Sequence, residues 1–169
     1  MRHSTALTLP LAAMVVGLLV TACGGGGSSA SGGTDGGTIP TTCPLPSPLA
    51  SPRFSTDILP ALQSSCGSAT TSCHGNATPP AGHIRYDTNN GRTATDVYTA
   101  LINVPPSSSP AGWLRVAPGD VAHSWIIEKV TSNSPGGGGY GTRMPQAAPN
   151  LCQASVDNVK AWIQAGAQF

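Results

Sequence analysis

The sequence predicts an all-α domain of about four short helices joined by long Gly/Pro-rich loops. Apolar residues recur at helical spacing in four separate stretches. Between those stretches the chain is broken up by many of its 21 glycines and 16 prolines. No stretch sustains the period-two alternation of a half-buried strand, and no internal repeat is visible.

The first helical stretch runs from Phe54 to Ser64 and places Phe54, Ile58, Leu59 and Leu62 near one face. Pro60 falls inside it. Proline has no N–H for the helical ladder and its ring clashes one turn back, so a kink or a late start is expected. The second stretch, Asp96 to Asn103, gathers Val97, Ala100, Leu101 and Val104 and stops before Pro105-Pro106. The third, Asp120 to Val130, follows Pro118-Gly119, with Asp120 placed as its cap and Val121, Trp125, Ile126 and Ile127 as its apolar residues. The fourth begins at Ser155, turns Val156, Val159, Trp162 and Ile163 inward, and ends at Gly166. His83 to Asp87 reads as a short extended piece bounded by Gly82 and by the turn signal Asn89-Asn90-Gly91. The segments 105–112 and 131–141 are turn-rich loops.

Ahead of these elements the composition changes twice. Arg2 and His3 precede an apolar run from Leu7 to Val20, followed by Thr21-Ala22-Cys23. A basic start, an apolar stretch and small residues before a cut describe a secretory signal. The run is shorter than the ~20 residues of a spanning helix, and Pro10 interrupts it. The cysteine directly after the cut resembles the lipobox of bacterial lipoproteins. That resemblance implies loss of residues 1–22 and a lipid on Cys23. Residues 23–52 then read as a tether. Gly24 to Thr42 is almost wholly Gly, Ser and Thr, which cannot bury enough apolar surface to offset the entropy of ordering. Its mean reach is about 25 Å, from ~5–6 Å times the square root of its length. Cys43 to Pro52 is proline-rich and stiffer. The folded domain spans 53–169, about 115 residues, enough for one modest core.

Eight Lys and Arg stand against seven Asp and Glu, and removal of Arg2 with the signal leaves the chain formally neutral. No basic patch suits nucleic acid, and no polybasic stretch suits anionic lipid. The membrane link is therefore expected to be the lipid alone. Gly24, where many lipoproteins held at the inner membrane carry aspartate, implies the periplasmic side of the outer membrane over the inner.

The chemistry-bearing pattern is Cys73-His74, with Cys66 seven residues upstream and Met144 seventy residues downstream of His74. A Cys-x-x-Cys-His run attaches haem covalently: the sulfurs become thioethers and the histidine ligates iron. Here the spacer is six residues, Gly-Ser-Ala-Thr-Thr-Ser, where two are usual. Small residues let it bulge at a loop-entropy cost of about 1 kcal/mol. Met144 is the only methionine beyond the signal segment and sits in Arg143-Met144-Pro145 after a glycine run, away from any helical apolar face. A packing methionine belongs in a helical pattern; a distal iron ligand belongs on such a loop. His83 and His123 are lesser axial candidates. A zinc site from Cys66, Cys73 and His74 fits no familiar spacing, and no Ser-His-Asp or paired-carboxylate arrangement supports hydrolysis.

Taken in order, a first helix, C…CH, Val116-Ala117-Pro118-Gly119-Asp120 with Ser124, Arg143-Met144-Pro145 and Trp162-Ile163-Gln164-Ala165-Gly166-Ala167 resemble the planctomycete-type branch of the cytochrome c-like domains. The resemblance covers Phe54 to Ala167. It implies a helical fold whose first and last helices pack across each other beside one covalent haem c. It also implies attachment through Cys66 and Cys73, ligation of iron by His74 and Met144, and a role in carrying electrons between unidentified redox proteins.

Five cysteines leave the readings open. With Cys23 lipidated and Cys66 and Cys73 on haem, Cys43 and Cys152 are left to form a disulfide in an oxidising compartment. The haem-free alternative is a disulfide-stapled cytochrome c-like module for binding or structure, paired as Cys66–Cys73 and Cys43–Cys152. A third reading, a redox enzyme with an open iron position, requires Met144 to lie off the iron.

Overall fold

The computed structural model describes residues 49–67, 73–75, 77–146 and 151–169. The expected signal segment 1–22, the lipid site Cys23, most of the tether including Cys43, and residues 68–72 of the spacer between Cys66 and Cys73 lie outside the described residues.

Four α-helices make up the regular structure: α1 (Leu59–Cys66), α2 (Ala94–Leu101), α3 (Trp125–Thr131) and α4 (Gln153–Gln164). Among the described residues there is no strand, only isolated bridges such as Ile102 to Val116. The domain is thus mostly helical, as the apolar spacing predicts.

The α-helix starts late, at Leu59, with Pro60 in its first turn, as the proline predicts. A π-helical turn over Phe54–Ile58 runs straight into α1, with Arg53 O accepting from both Asp57 N (3.0 Å) and Ile58 N (3.2 Å). The widened turn lies just ahead of the proline, whose missing N–H falls at the start of α1, where no ladder donor is needed.

The other three helix starts differ from expectation for local reasons. Helix α2 starts two residues early because Thr93 forms a capping box. Thr93 Oγ1 accepts from Asp96 N (3.2 Å) and Asp96 Oδ2 accepts from Thr93 N (2.7 Å). Helix α3 starts at Trp125, so Asp120 does not cap it. Pro118-Gly119 forms a turn closed by Asp120 N to Ala117 O (2.9 Å), with Gly119 at φ 82°. Asp120 caps a second turn through His123 N (3.1 Å). The free N–H groups of Trp125 and Ile126 then bond to Leu114 O (2.7 Å) and Arg115 O (3.1 Å), so the helix begins where it docks on that segment. Helix α4 starts at Gln153 with Cys152 as its N-cap residue; Ser155 is buried inside it, not capping it. Its end is as expected: Gly166 takes φ 89°, Gly166 N bonds Ile163 O (3.0 Å) and Ala167 N bonds Trp162 O (2.8 Å), a Schellman motif.

The two ends of the domain meet in an aromatic cluster. Phe54, fully buried, lies 5.5 Å from Trp162 and 5.2 Å from Tyr98 between ring centroids. Tyr98 Oη donates to Ala167 O (2.8 Å), and Trp162 Nε1 donates to Gln168 O (2.6 Å). The terminal Trp-Ile…Gly-Ala stretch is therefore the clasp that holds α4 against the entry to α1. Ser124, also fully buried, stitches the Pro-Gly-Asp loop. Its Oγ accepts from Ala117 N (2.9 Å) and donates to Asp120 O (2.7 Å). Gly119 N reaches Ile163 O on α4 (2.8 Å).

Candidate functional site

Cys66 ends α1, and Gly67 after it lies against the backbone of His74. A Cβ on Gly67 would come within 2.6 Å of His74 O, so only glycine fits. His74 N donates to Cys66 O (3.3 Å), and Tyr86 N donates to His74 O (2.8 Å). The chain therefore returns to its starting point across the six-residue spacer, and His74 sits beside Cys66. The His74 ring lies 5.2 Å from the Tyr86 ring, and its Nδ1 is 3.1 Å from Ile84 O. With Nδ1 as the donor to that carbonyl, Nε2 is the nitrogen left with a lone pair. Burial pulls the His74 pKa below 6.5. The carbonyls of Ile84 and Ala81 oppose this, and the charges of Arg115 and Lys129 add to it. The imidazole is thus kept neutral, the form that binds a metal.

Met144 is brought to the same place from the far side of the chain. Gly136, at φ 65°, packs where a Cβ would meet Pro110 and Tyr140 at 2.8 Å, and its N–H donates to Glu128 Oε1 (2.9 Å). The returning segment is held by one residue of α3. Lys129 Nζ donates to Tyr140 O (3.2 Å) and Thr142 O (2.7 Å), and Lys129 O accepts from Met144 N (2.6 Å).

These segments enclose a cavity of about 310 Å³ lined by Cys66, His74 and Met144. Its walls are largely apolar, with Leu62, Ile84, Leu101, Trp125, Ile126 and Val130 among them. That volume lies at the lower end of the range for small-molecule and cofactor sites. His74 and Met144, a neutral imidazole and a thioether lining an apolar space, are donors that could hold a haem iron there. Cys66 is a free, buried thiol, and burial pushes its pKa from 9.0 to about 12, so it stays protonated.

The remaining candidates fall elsewhere. Cys73 does not line the cavity, and both Cys73 and Cys152 are disulfide-bonded. The Cys66–Cys73 disulfide of the haem-free alternative is not formed, because Cys66 is free. His83 and His123 are exposed and do not line the cavity, His123 pairing with Asp120 (2.6 Å). Among the described residues no cluster of three or more His, Cys, Asp and Glu side chains could hold a metal. Likewise, no helix there is long and apolar enough to cross a membrane.

Sequence reasoning missed Arg115, Lys129 and Tyr86 as lining residues. The available signal was that charge is scarce, at 9% of residues. Arg115 and Lys129 each interrupt an apolar run, Leu114-Arg115-Val116 and Ile126-Ile127-Glu128-Lys129-Val130.

No family model, no curated protein and no solved structure matches this chain.

Proposed function

We propose that this domain is a c-type cytochrome, carrying one haem in the cavity and passing single electrons while tethered by lipid on the periplasmic side of a bacterial membrane. One observation carries the reading: His74 and Met144, seventy residues apart, line the same apolar cavity beside a free thiol, Cys66. A haem supplies one-electron exchange at iron, and His/Met ligation favours a comparatively high potential. The chain's own contributions are separable. The Ile84 carbonyl fixes the His74 ring and its tautomer, as the outer partners of metal-bound histidines do. Lys129 holds the Met144 segment by both its ammonium and its carbonyl. The apolar walls keep water from the reacting centre.

A second reading is favoured by Cys73, whose sulfur is already in a disulfide. It is a haem-free, disulfide-stapled module for binding or structure. Within the first reading, attachment through Cys66 alone is the version that leaves this disulfide intact.

The readings separate on a denaturing gel stained for haem, run on protein made in a host competent for cytochrome maturation. The first expects a stained band that Cys66→Ala abolishes. It also expects a near-infrared sulfur-to-iron band in the native protein that Met144→Ala removes. An unstained band with Cys66 still a free thiol selects the second.

A further inference from the structure

Among the described residues the apolar cavity is lined by two cationic side chains, Arg115 and Lys129, and by no Asp or Glu. Both are part-buried, and burial lowers the pKa of each. Among the described residues neither meets a carboxylate. The side-chain bonds of Arg115 run to Ala100 O (2.8 Å), Gly82 O (3.1 Å) and His83 O (3.4 Å), those of Lys129 to Tyr140 O and Thr142 O. Carbonyl dipoles solvate a cation without neutralising it. A guanidinium carries five N–H donors and an ammonium three, so each has donors left over. Two cations with no carboxylate partner among the described residues, at the wall of an apolar space, favour a ligand bearing negative charge.

We infer that Arg115 and Lys129 are the anion-recognition groups of this cavity, and that its ligand is a flat apolar ring carrying carboxylates. The identity of the ring rests on the haem reading, where the carboxylates are the side arms of the tetrapyrrole. The charge requirement rests on the cavity itself. Selection by charge also explains the lining: the walls accept the ring, and the two cations reject a neutral ring of the same shape.

The test uses the mature full chain without haem and metal-free protoporphyrin as the probe, followed by its fluorescence. With no iron present, His74 and Met144 ligation plays no part. The diacid is expected to bind at least tenfold more tightly than its dimethyl ester, and the difference should shrink as salt is raised. Lys129→Met and Arg115→Met should each weaken the diacid about tenfold more than they weaken the ester, and Arg115→Lys should restore most of that difference. Equal binding of diacid and ester to the unaltered chain overturns the inference without requiring any variant to fold. So does equal weakening of both probes by the variants, and so does failure of both to bind. A colourless protein from a maturing host that still prefers the diacid would remove the haem reading and leave this one standing.

Discussion

Cys66 offers the sharpest chemical prediction, because its environment sets its reactivity by a calculable factor. The nucleophile in alkylation is the thiolate. At pH 8, a thiol at the ordinary value of 9.0 is roughly one-tenth ionised, whereas one pushed up to about 12 is ionised to roughly one part in ten thousand. Native haem-free protein should therefore alkylate at Cys66 about a thousandfold more slowly than unfolded protein, before any steric shielding is counted. Iodoacetamide labelling over time, quenched and read by mass spectrometry on the peptide containing Cys66, measures the ratio directly. Cys73 and Cys152 should remain unlabelled without reductant, since both are disulfide-bonded. A native rate within tenfold of the unfolded rate would refute the placement of this thiol on the apolar wall. In haem-loaded protein the same experiment has a different outcome: if Cys66 holds the porphyrin, unfolding will not restore labelling.

Three further predictions concern the frame that positions the site. Ser124→Ala leaves the buried Ala117 N–H without its acceptor, so a loss of about 1–3 kcal/mol is expected in urea unfolding; a loss below about 0.5 kcal/mol would contradict the stitching role. Phe54→Ala removes the ring that joins the entry of α1 to Trp162 and Tyr98 and should cost about 3–5 kcal/mol. Retention of nearly full stability would place the junction elsewhere. Asp87 tests the acid side. Its burial alone would raise its pKa, but hydrogen bonds from Arg85 and from Asn89 N, with the charges of Arg85 and Arg92, bring it below 3.8. Its contribution to stability is therefore fully present above about pH 3.8 and disappears as the pH falls through the lower folded-state value. The stability difference between the unaltered chain and Asp87→Asn should shrink over that window; a difference independent of pH would show that the carboxylate is not ionised in the fold.

Much of this arrangement was legible in the chain. The four helices follow from apolar spacing, because burial of one face dominates the choice of structure there. Gly166 marks the end of α4 because a positive φ is needed at that point. The juxtaposition of His74 and Met144 was legible only as a pattern of residue types, since no local rule brings together positions seventy residues apart. What was misread has tertiary or side-chain causes. Asp120 has the composition of a helix cap, yet the helix waits until Trp125, where the carbonyls of Leu114 and Arg115 receive its first N–H groups. Those carbonyls belong to a segment whose position depends on the Ile102 and Val116 bridge. The divergence of Cys66 and Cys73 was likewise hidden. A Cys…Cys-His run reads as one unit, but here one sulfur faces the cavity and the other belongs to a disulfide. Arg115 and Lys129 were passed over because charges within apolar runs ordinarily read as solvated positions.

The central claim is that a neutral imidazole and a thioether face each other's space to hold a haem. An absorption spectrum of the mature protein, purified from the periplasm of a host competent for cytochrome maturation, tests it most directly. The account predicts a red protein with an intense Soret band that survives denaturation and shifts when Met144 or His74 is replaced. A preparation transparent throughout the visible region would contradict it.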